Sequence, residues 1–323
     1  MLSDQVLRWA AGAVDGTRVV STESLSRGDH RPSGTFRLRV EGPAARATHV
    51  ILKVPVPGWI RAVWVITNAR ALQLAETHRL AAPRLIAADL DLESSESATA
   101  ASLAVGRASG TIATLETFLS GSADLPPTAS VARLREAGAA IARVHDFSME
   151  PRAHLPHRPR PCAVDDRAAE RRRGSMPTTP LLKEADERVR SHAVPAATSV
   201  FLHGDVWGGN MLFEGDRCVA LIDWKTAGVG DPGVDLGSLR MQMALQYGRD
   251  APAYVLEGWE RQAGRAAIAV PYWDAVAALN TPTVMDGWPG FAEDGRPLDA
   301  TAVTGRRDVF LRTALDQLPT RIR

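Results

Sequence analysis

The sequence predicts an α+β protein with two lobes. The first 118 residues contain short β-branched apolar runs separated by turn residues, whereas the later residues contain longer segments with apolar residues at helical spacing. The chain has 323 residues, enough for two units of ordinary domain size. We therefore expect a mainly antiparallel sheet with one intervening helix over residues 1–118, and a mainly helical lobe over residues 119–323.

The amino-terminal elements are predicted from apolar periodicity and turn residues. Ser3 is a plausible N-cap for a first amphipathic helix. The predicted elements are a helix over 3–14, a strand, glycine-containing loop and strand over 24–40, a strand over 48–56, a helix over 67–80, a strand after Pro83, and a hairpin formed by 101–105 and 111–118. Together these segments predict the sheet and its single intervening helix.

The carboxyl-terminal part has a different pattern. Apolar residues at helical spacing predict helices over 129–146 and 181–193, and largely helical structure from 234 onward. Residues 150–180 hold many prolines and arginines with little periodicity, so we expect a long surface excursion there. A helix-rich second lobe follows from this pattern.

Composition excludes several classes of protein. Hydrophobic residues make up 45% and charged residues 23%, as in ordinary globular proteins, and the net charge of +1 favours neither nucleic acid nor an anionic membrane as a partner. The two cysteines, Cys162 and Cys218, are far apart, which fits a reducing compartment. The sequence has neither a signal-peptide pattern nor an uncharged apolar run of membrane-spanning length, so we expect a cytoplasmic protein.

The chemistry is concentrated in residues 201–240. Asp205 precedes Asn210 by five residues, and Asp223 ends a predicted hairpin whose strands are joined by Glu-Gly-Asp-Arg. If Phe213 faces Cys218, Asn210 lies opposite residue 221, and Asp223 is its diagonal neighbour, roughly 7–8 Å away. A carboxylate and an amide oxygen suit Mg²⁺, which takes few protein ligands beside phosphate and water. Asp205 then remains as a separate acid facing the same cavity.

This spacing matches the protein-kinase catalytic loop, although the loop here reads His-Gly-Asp. The motifs HGDVWGGN, IDW and GDPGVDLGSL resemble the aminoglycoside phosphotransferase family, the kinase-like small-molecule phosphotransferases that include relatives of choline, homoserine and fructosamine kinases. The resemblance covers most of the chain. It implies a bilobal protein-kinase-like fold, in which the N-lobe is an antiparallel sheet with one helix and the C-lobe is mainly helical.

The resemblance also implies roles for the residues of these motifs. Asp205 corresponds to the base that orients and deprotonates the acceptor hydroxyl, and His203 to a residue that braces the loop. Asn210 and Asp223 correspond to Mg²⁺ ligands. In GDPGVDL, Asp231 and Asp235 are expected to cap helices and hold the loop rather than contact the substrate.

The rest of a nucleotide site is expected upstream. Lys53 corresponds to the strand lysine that pairs with the α- and β-phosphates. The other implied nucleotide-binding residues are Ser26, Gly28 and Gly34 of the phosphate-covering loop, and Glu116 and Phe118 of the segment between the lobes, whose backbone would meet the purine.

One position departs from the family pattern. Relatives carry a glutamate on the helix about 15 residues after the lysine, and here that register holds Asn68. Either Asn68 forms a neutral hydrogen bond with Lys53, or the lysine is paired otherwise. Glu76, two turns further on, could substitute only if the helix were placed differently.

The predicted activity is Mg²⁺-dependent transfer of the γ-phosphate of ATP, or of GTP, to a hydroxyl of a small molecule. An antibiotic acceptor would make the enzyme one of resistance or self-protection, and a metabolite alcohol or amino sugar is the alternative. Two other classes stay open: a nucleotide-binding pseudokinase, which the absent helix glutamate favours, and a metal-assisted phosphohydrolase. The sequence predicts neither nucleic acid nor membrane as a partner, and it identifies neither the acceptor nor an oligomeric state.

Overall fold

The structure is a computed structural model that describes residues 2–25, 33–43, 47–58, 60–90, 107–162, 165–195 and 197–318. The chain divides into two compact units. Unit 1 comprises Met1–Ser120 with the short segments Arg152–Leu155 and Ile222–Lys225, and unit 2 comprises Gly121–Pro151, Pro156–Leu221 and Thr226–Arg323. The catalytic-loop motif therefore belongs to unit 2, whereas Asp223 belongs to unit 1.

Unit 1 is built on a five-stranded antiparallel sheet with the order β1-β2-β3-β5-β4. Its elements are α1 (Asp4–Gly12), β1 (Arg18–Ser24), β2 (Thr35–Glu41), β3 (Ala47–Lys53), α2 (Ala62–Thr77), β4 (Leu85–Asp89) and β5 (Ala113–Thr117). Helix α1 packs its buried Val6 and Ala10 against one face of the sheet, which presents Val50, Leu52 and Leu115.

The opposite face of the same strands carries polar residues. Side chains alternate along a strand, so residues 51 and 53 of β3 face away from α1. Ile51 pairs with Glu116 and Lys53 pairs with Thr114, which puts Lys53 and Glu116 on one face as diagonal neighbours. Helix α2 contributes Asn68 to this polar group.

Unit 2 is mainly helical. Its elements are α3 (Val131–Val144), α4 (Arg167–Arg172), α5 (Pro180–Ser191), β6 (Val200–Leu202), a 3-10 turn (Gly208–Asn210), β7 (Met211–Glu214), β8 (Arg217–Leu221), β9 (Gly228–Gly230), α6 (Gly233–Tyr247), α7 (Ala251–Ala263), α8 (Val270–Leu279) and α9 (Ala300–Gln317). An apolar core joins α5, α6, α8 and α9 around Leu182, Leu245, Trp273, Met285 and Leu311. Two short antiparallel pairs, β6 with β9 and β7 with β8, carry the motif residues.

The predicted fold class is confirmed: an antiparallel sheet precedes a helical carboxyl-terminal part. Ser3 caps α1 as expected, since its side chain accepts a hydrogen bond from the backbone N–H of Val6. Helix α2 begins at Ala62, five residues earlier than predicted, because its β-branched first turn resembles a strand in sequence yet buries Val65 and Ile66. The predicted strand over 101–105 lies outside the described residues.

The interpretation of residues 150–180 as a surface excursion is wrong in part. The segment contains helix α4, and His154, Leu155 and Arg171 are buried. Arg171 donates hydrogen bonds to the backbone oxygens of Leu279 and Thr281 at the end of α8. Such contacts between distant residues leave no periodic signal in the sequence. Among the described residues, none of the helices combines the length and apolarity needed to cross a membrane.

Candidate active site

Asp205 lies on the loop that follows strand β6, and two neighbours hold its carboxylate. Cys162 Sγ donates to Asp205 Oδ1 at 3.0 Å, and Asn210 Nδ2 donates to the backbone oxygen at 2.9 Å and to Oδ2 at 3.3 Å. The 3-10 turn Gly208–Asn210 returns Asn210 to Asp205, so the four-residue spacing between them closes a compact loop. The amide nitrogen of Asn210 faces Asp205, which leaves its oxygen as the atom able to serve as a ligand.

Asp235, in the first turn of α6, anchors this loop through its backbone N–H groups. Its carboxylate accepts hydrogen bonds from the backbone N–H groups of His203 at 2.7 Å and Gly204 at 2.9 Å. Asp231 accepts at 2.7 Å from the N–H of Gly233. Asp235 therefore holds the loop, as predicted, and Asp231 bonds the first N–H of α6. That neither aspartate contacts the substrate stays a prediction. Burial would raise the pKa of Asp235, but the hydrogen bond from His145, the electrostatic influence of the His145 and His203 rings and the backbone N–H of Gly204 outweigh burial and lower that pKa.

His203 is buried beneath the loop. Its Nδ1 faces the backbone N–H of Asp205 at 3.4 Å, and its own backbone N–H donates to Asp235. The first contact joins His203 to Asp205, and the second joins it to Asp235. The role of His203 as a residue that braces the loop stays a prediction.

Steric constraints explain why glycine occupies the middle position of His-Gly-Asp. Gly204 has φ +83°, a left-handed conformation that disfavours residues with a side chain, and a Cβ there would lie 2.2 Å from the carbonyl oxygen of Thr226. Arginine, the residue found in protein kinases, therefore cannot occupy this position without moving the backbone. The departure from His-Arg-Asp is thus a consequence of local packing.

In unit 1, Lys53 lies in a buried polar cluster. Its Nζ donates to Asn68 Oδ1 at 2.9 Å and to Asp223 Oδ1 at 3.0 Å, and Glu116 Oε1 lies 3.8 Å away. Asn68 is therefore the hydrogen-bond partner that the sequence offered as one alternative. Asp223 and Glu116 pair with Lys53 as well, so the second alternative also holds. Glu76 is exposed on α2, and its substitution for the helix glutamate is therefore excluded.

Asp223 lies between two ammonium groups. Lys53 contacts one of its carboxylate oxygens and Lys225 the other. Burial alone would raise the pKa of Asp223, but these two charges outweigh it and hold the pKa well below its usual range. Its φ of +66° is uncommon for a residue with a side chain, although aspartate tolerates this region better than most. Asp223 is therefore ionised, and its negative charge is paired with the two ammonium groups.

The predicted role of Glu116 needs correction. The family resemblance implies that its backbone meets the purine, but that backbone lies inside the sheet, paired with Ile51 on one side and Leu85 on the other. Its side chain is buried instead, and accepts a hydrogen bond from Asn68 Nδ2 at 2.5 Å. Burial raises the pKa of Glu116, and Lys53 and Asn68 offset this only in part. The inward direction follows from strand register, which the sequence does not state.

The other residues predicted to bind the nucleotide lie in the segment between β1 and β2 and just after β5. Gly34, at the end of the predicted phosphate-covering loop, has φ +65°, and a Cβ there would lie 2.3 Å from the carbonyl oxygen of Val54. Ser26 and Gly28 lie outside the described residues. Phe118 follows β5 with an exposed ring near His49 and Arg37.

The predicted hairpin register is right at its turn and wrong at its open end. Phe213 pairs with Cys218 as expected, but a bulge at Leu212 and Phe213 shifts the ladder, and Met211 rather than Asn210 faces Leu221. The extra residue, Val219, lies in β8, which a strict two-residue alternation does not anticipate. The predicted diagonal relationship of Asn210 with Asp223, which depends on this register, is therefore wrong.

The contact of Cys162 with Asp205 is not predicted from the sequence. Cys162 precedes Asp205 by 43 residues and lies at the end of an irregular segment, where no spacing marks it. The backbone N–H of Cys162 donates to the carbonyl oxygen of Gly204 at 2.8 Å, which brings its thiol to the loop. Only the folded chain shows this contact.

Comparisons with known proteins agree with the fold and with these motifs. Over 73 residues the chain is 36% identical to viomycin phosphotransferase from Streptomyces vinaceus, a match that spans 21% of this chain and only 24% of that protein.

Two solved structures match along almost the whole chain. The macrolide 2'-phosphotransferase MphH from Brachybacterium faecium has a TM-score of 0.52 at 19% identity, covering 99% of this chain and 100% of that one. The aminoglycoside phosphotransferase APH(4)-Ia, solved with AMP-PNP and hygromycin B, has a TM-score of 0.57 at 15% identity, covering 98% and 100%. At these identities the structures support the fold alone.

The model of the phosphotransferase enzyme family, APH, matches residues 35–293, a range that includes Lys53, the His-Gly-Asp loop, Asn210 and Asp223. A match over most of the chain, together with the kinase-like arrangement of sheet and helices, is sufficient to assign it. This chain is a member of the APH phosphotransferase family.

Proposed function

We propose that the chain is a Mg²⁺-dependent kinase that transfers the γ-phosphate of ATP or GTP to a hydroxyl of a small-molecule antibiotic. The observation that supports this most strongly is the constrained carboxylate of Asp205, which lies at the tip of a loop anchored by Asp235 and held by Cys162 and Asn210. Phosphoryl transfer requires positioning and charge stabilisation more than covalent chemistry. A fixed acid on a rigid loop meets the first requirement.

Each residue has a role in this proposal. Asp205 orients the acceptor hydroxyl and takes its proton, and His203 keeps the loop in place. Lys53 contacts the α- and β-phosphates, the segment that includes Ser26, Gly28 and Gly34 covers them, and residues around Phe118 meet the purine. The roles of Ser26, Gly28 and Phe118 rest on the family resemblance.

The residues also suit a divalent cation. Asp223 offers a carboxylate and Asn210 an amide oxygen, and hard oxygen ligands of this kind are what Mg²⁺ takes beside phosphates and water. The lowered pKa of Asp223 keeps it ionised, as a cation ligand must be. When bound, the cation would neutralise charge on the transferring phosphate.

The acceptor is proposed from the relatives. Proteins similar to this chain are named as phosphotransferases of viomycin, macrolides or aminoglycosides, and one of them was solved with hygromycin B. A metabolite alcohol or amino sugar is the alternative acceptor. The measurement is ADP or GDP formation with Mg²⁺ across a panel of viomycin, aminoglycoside and macrolide antibiotics and of hydroxylated metabolites.

Variants make the test specific. Asp205→Ala should lose roughly 100-fold to 10,000-fold in turnover while nucleotide binding persists, because a general base acts on the acceptor. Asp250→Ala, at an exposed carboxylate, is the matched control and should behave as wild type. Nucleotide binding without turnover on any acceptor would indicate a pseudokinase, and phosphate release without an acceptor would indicate a phosphohydrolase; either result contradicts the proposal.

A further inference from the structure

Lys53 carries a buried ammonium group that several polar side chains contact. Its exposed fraction is 7%, and those of Asn68 and Glu116 are 0% and 2%. A buried charge is costly unless it is paired and hydrogen-bonded, so the groups around it decide where it points. Two carboxylates, Asp223 and Glu116, and the amide of Asn68 supply that pairing.

The amide of Asn68 is held at both ends. Its oxygen accepts from Lys53 Nζ at 2.9 Å and from the backbone N–H of Trp224 at 3.0 Å, and its nitrogen donates to Glu116 Oε1 at 2.5 Å. A flipped amide would place its NH₂ group against two donors and its oxygen against a carboxylate. The orientation is therefore determined by its neighbours, and Glu116 polarises the amide towards Lys53.

The charge that helix α2 lacks is present on strand β5. Asn68 follows Lys53 by 15 residues, which is the register where a carboxylate would normally face the lysine. The pairing of Lys53 with Thr114 puts Glu116 on the same face of the sheet, directly behind that amide. Glu116 itself lies 3.8 Å from Lys53, too far for a good hydrogen bond but near enough for charge attraction.

We infer that Glu116, acting through the amide of Asn68, is the positioning residue that holds Lys53 for the nucleotide phosphates. Asn68 and Glu116 together replace the single helix carboxylate that pairs with this lysine in relatives. This inference rests on the proposed function, because it requires Lys53 to contact phosphates. It also accounts for an acidic side chain buried inside the sheet, which the proposed chemistry otherwise leaves without a use.

The experiment separates phosphate contacts from general damage by comparing two ligands. The affinities of the full-length protein for Mg·ATP and for adenosine are measured by calorimetry, with no acceptor present. Glu116→Gln should weaken Mg·ATP binding about tenfold, since a charge-assisted interaction is lost, and leave adenosine binding unchanged. Glu76→Gln, at an exposed acid on α2, should change neither affinity.

A charge-swapped variant provides the rescue. Asn68→Glu combined with Glu116→Gln moves the carboxylate from the strand to the helix at constant net charge, and should return Mg·ATP affinity to within about threefold of wild type. Denaturant unfolding of each variant confirms that it is folded. Where an acceptor is available, the KM for ATP should follow these affinities more closely than kcat does.

The outcomes distinguish the inference from the function on which it rests. If Lys53→Met weakens Mg·ATP binding but folded Glu116→Gln binds it as wild type does, the inference is wrong and the proposed function survives. Equal loss of ATP and adenosine binding in Glu116→Gln would also overturn it, by indicating a merely structural role. If wild type binds neither Mg·ATP and adenosine nor Mg·GTP and guanosine, the proposed function fails, and the inference with it.

Discussion

His145 donates a hydrogen bond from Nε2 to Oδ2 of Asp235 across 3.3 Å in the interior of unit 2. Its tautomer follows from a third residue: Trp259 Nε1 lies 3.0 Å from His145 Nδ1 and can only donate, so Nδ1 accepts and Nε2 carries the proton. Asp235 in turn receives the backbone N–H groups of His203 and Gly204. The catalytic loop is thus connected by buried hydrogen bonds to α3 and α7, which carry no motif.

Removing the carboxylate of Asp235 should destabilise the fold. Asp235→Ala leaves two backbone N–H groups and the His145 N–H without their buried acceptor, so we expect a loss of about 3–5 kcal/mol in the free energy of unfolding. Denaturant titration measures it. Asp231→Ala is the control, because that side chain accepts a single backbone hydrogen bond at the start of α6 and should cost about 1 kcal/mol. Equal losses in the two variants would contradict this account of the anchor.

The same residue gives a pH dependence with a definite sign. The folded pKa of Asp235 is lowered, so the folded state favours its ionised form. That stability is fully present above the unfolded pKa of about 3.9 and is lost as the pH falls below it. The difference in unfolding free energy between wild type and Asp235→Asn should therefore be constant above about pH 5 and shrink below pH 4. A difference that grows on acidification would contradict the lowered pKa.

Two glycines with similar backbone angles should respond differently to alanine. Gly204 and Gly215 have φ +83° and +60°, but a Cβ at Gly204 would lie 2.2 Å from the Thr226 oxygen, whereas at Gly215 it would have nothing within 4 Å. Gly215→Ala should cost only the left-handed strain, about 1–2 kcal/mol. Gly204→Ala should cost clearly more, or shift the loop and reduce turnover. Unfolding titrations measure both, and equal effects would show that the contact is relieved without cost.

Cys162 should be the thiol through which activity can be blocked. Burial raises the pKa of Cys218 to about 12, so that thiol is inert at neutral pH, whereas Cys162 is only partly buried and touches Asp205. Alkylation with iodoacetamide should add one group, at Cys162, and abolish turnover by obstructing the Asp205 carboxylate. Intact-mass and peptide mass spectrometry locate the group.

The control for alkylation is Cys162→Ser. A hydroxyl can still donate to Asp205, so this variant should retain turnover within about tenfold and resist the reagent. Inactivation of Cys162→Ser at the wild-type rate would place the sensitive group elsewhere.

Much of the architecture follows from patterns that are local in the chain. Apolar periodicity predicts helices and strands, and the four-residue gap between Asp205 and Asn210 with a later acid predicts a catalytic loop. The steric need for glycine at position 204 is different, because the obstructing oxygen belongs to Thr226 in a later segment. Likewise, a single extra residue in β8 is enough to move Asn210 out of its expected register.

Sequence alone therefore indicates the family and the order of the elements, and it predicts which acids carry the chemistry, because each depends on patterns within short segments. Folding decides the partners: Asn68 and Glu116 for Lys53, Cys162 for Asp205, and His145 for Asp235. These pairs join residues from 15 to 90 positions apart, or more for groups linked through Asp223. Such contacts depend on strand register and helix packing, which are properties of the whole chain rather than of any segment.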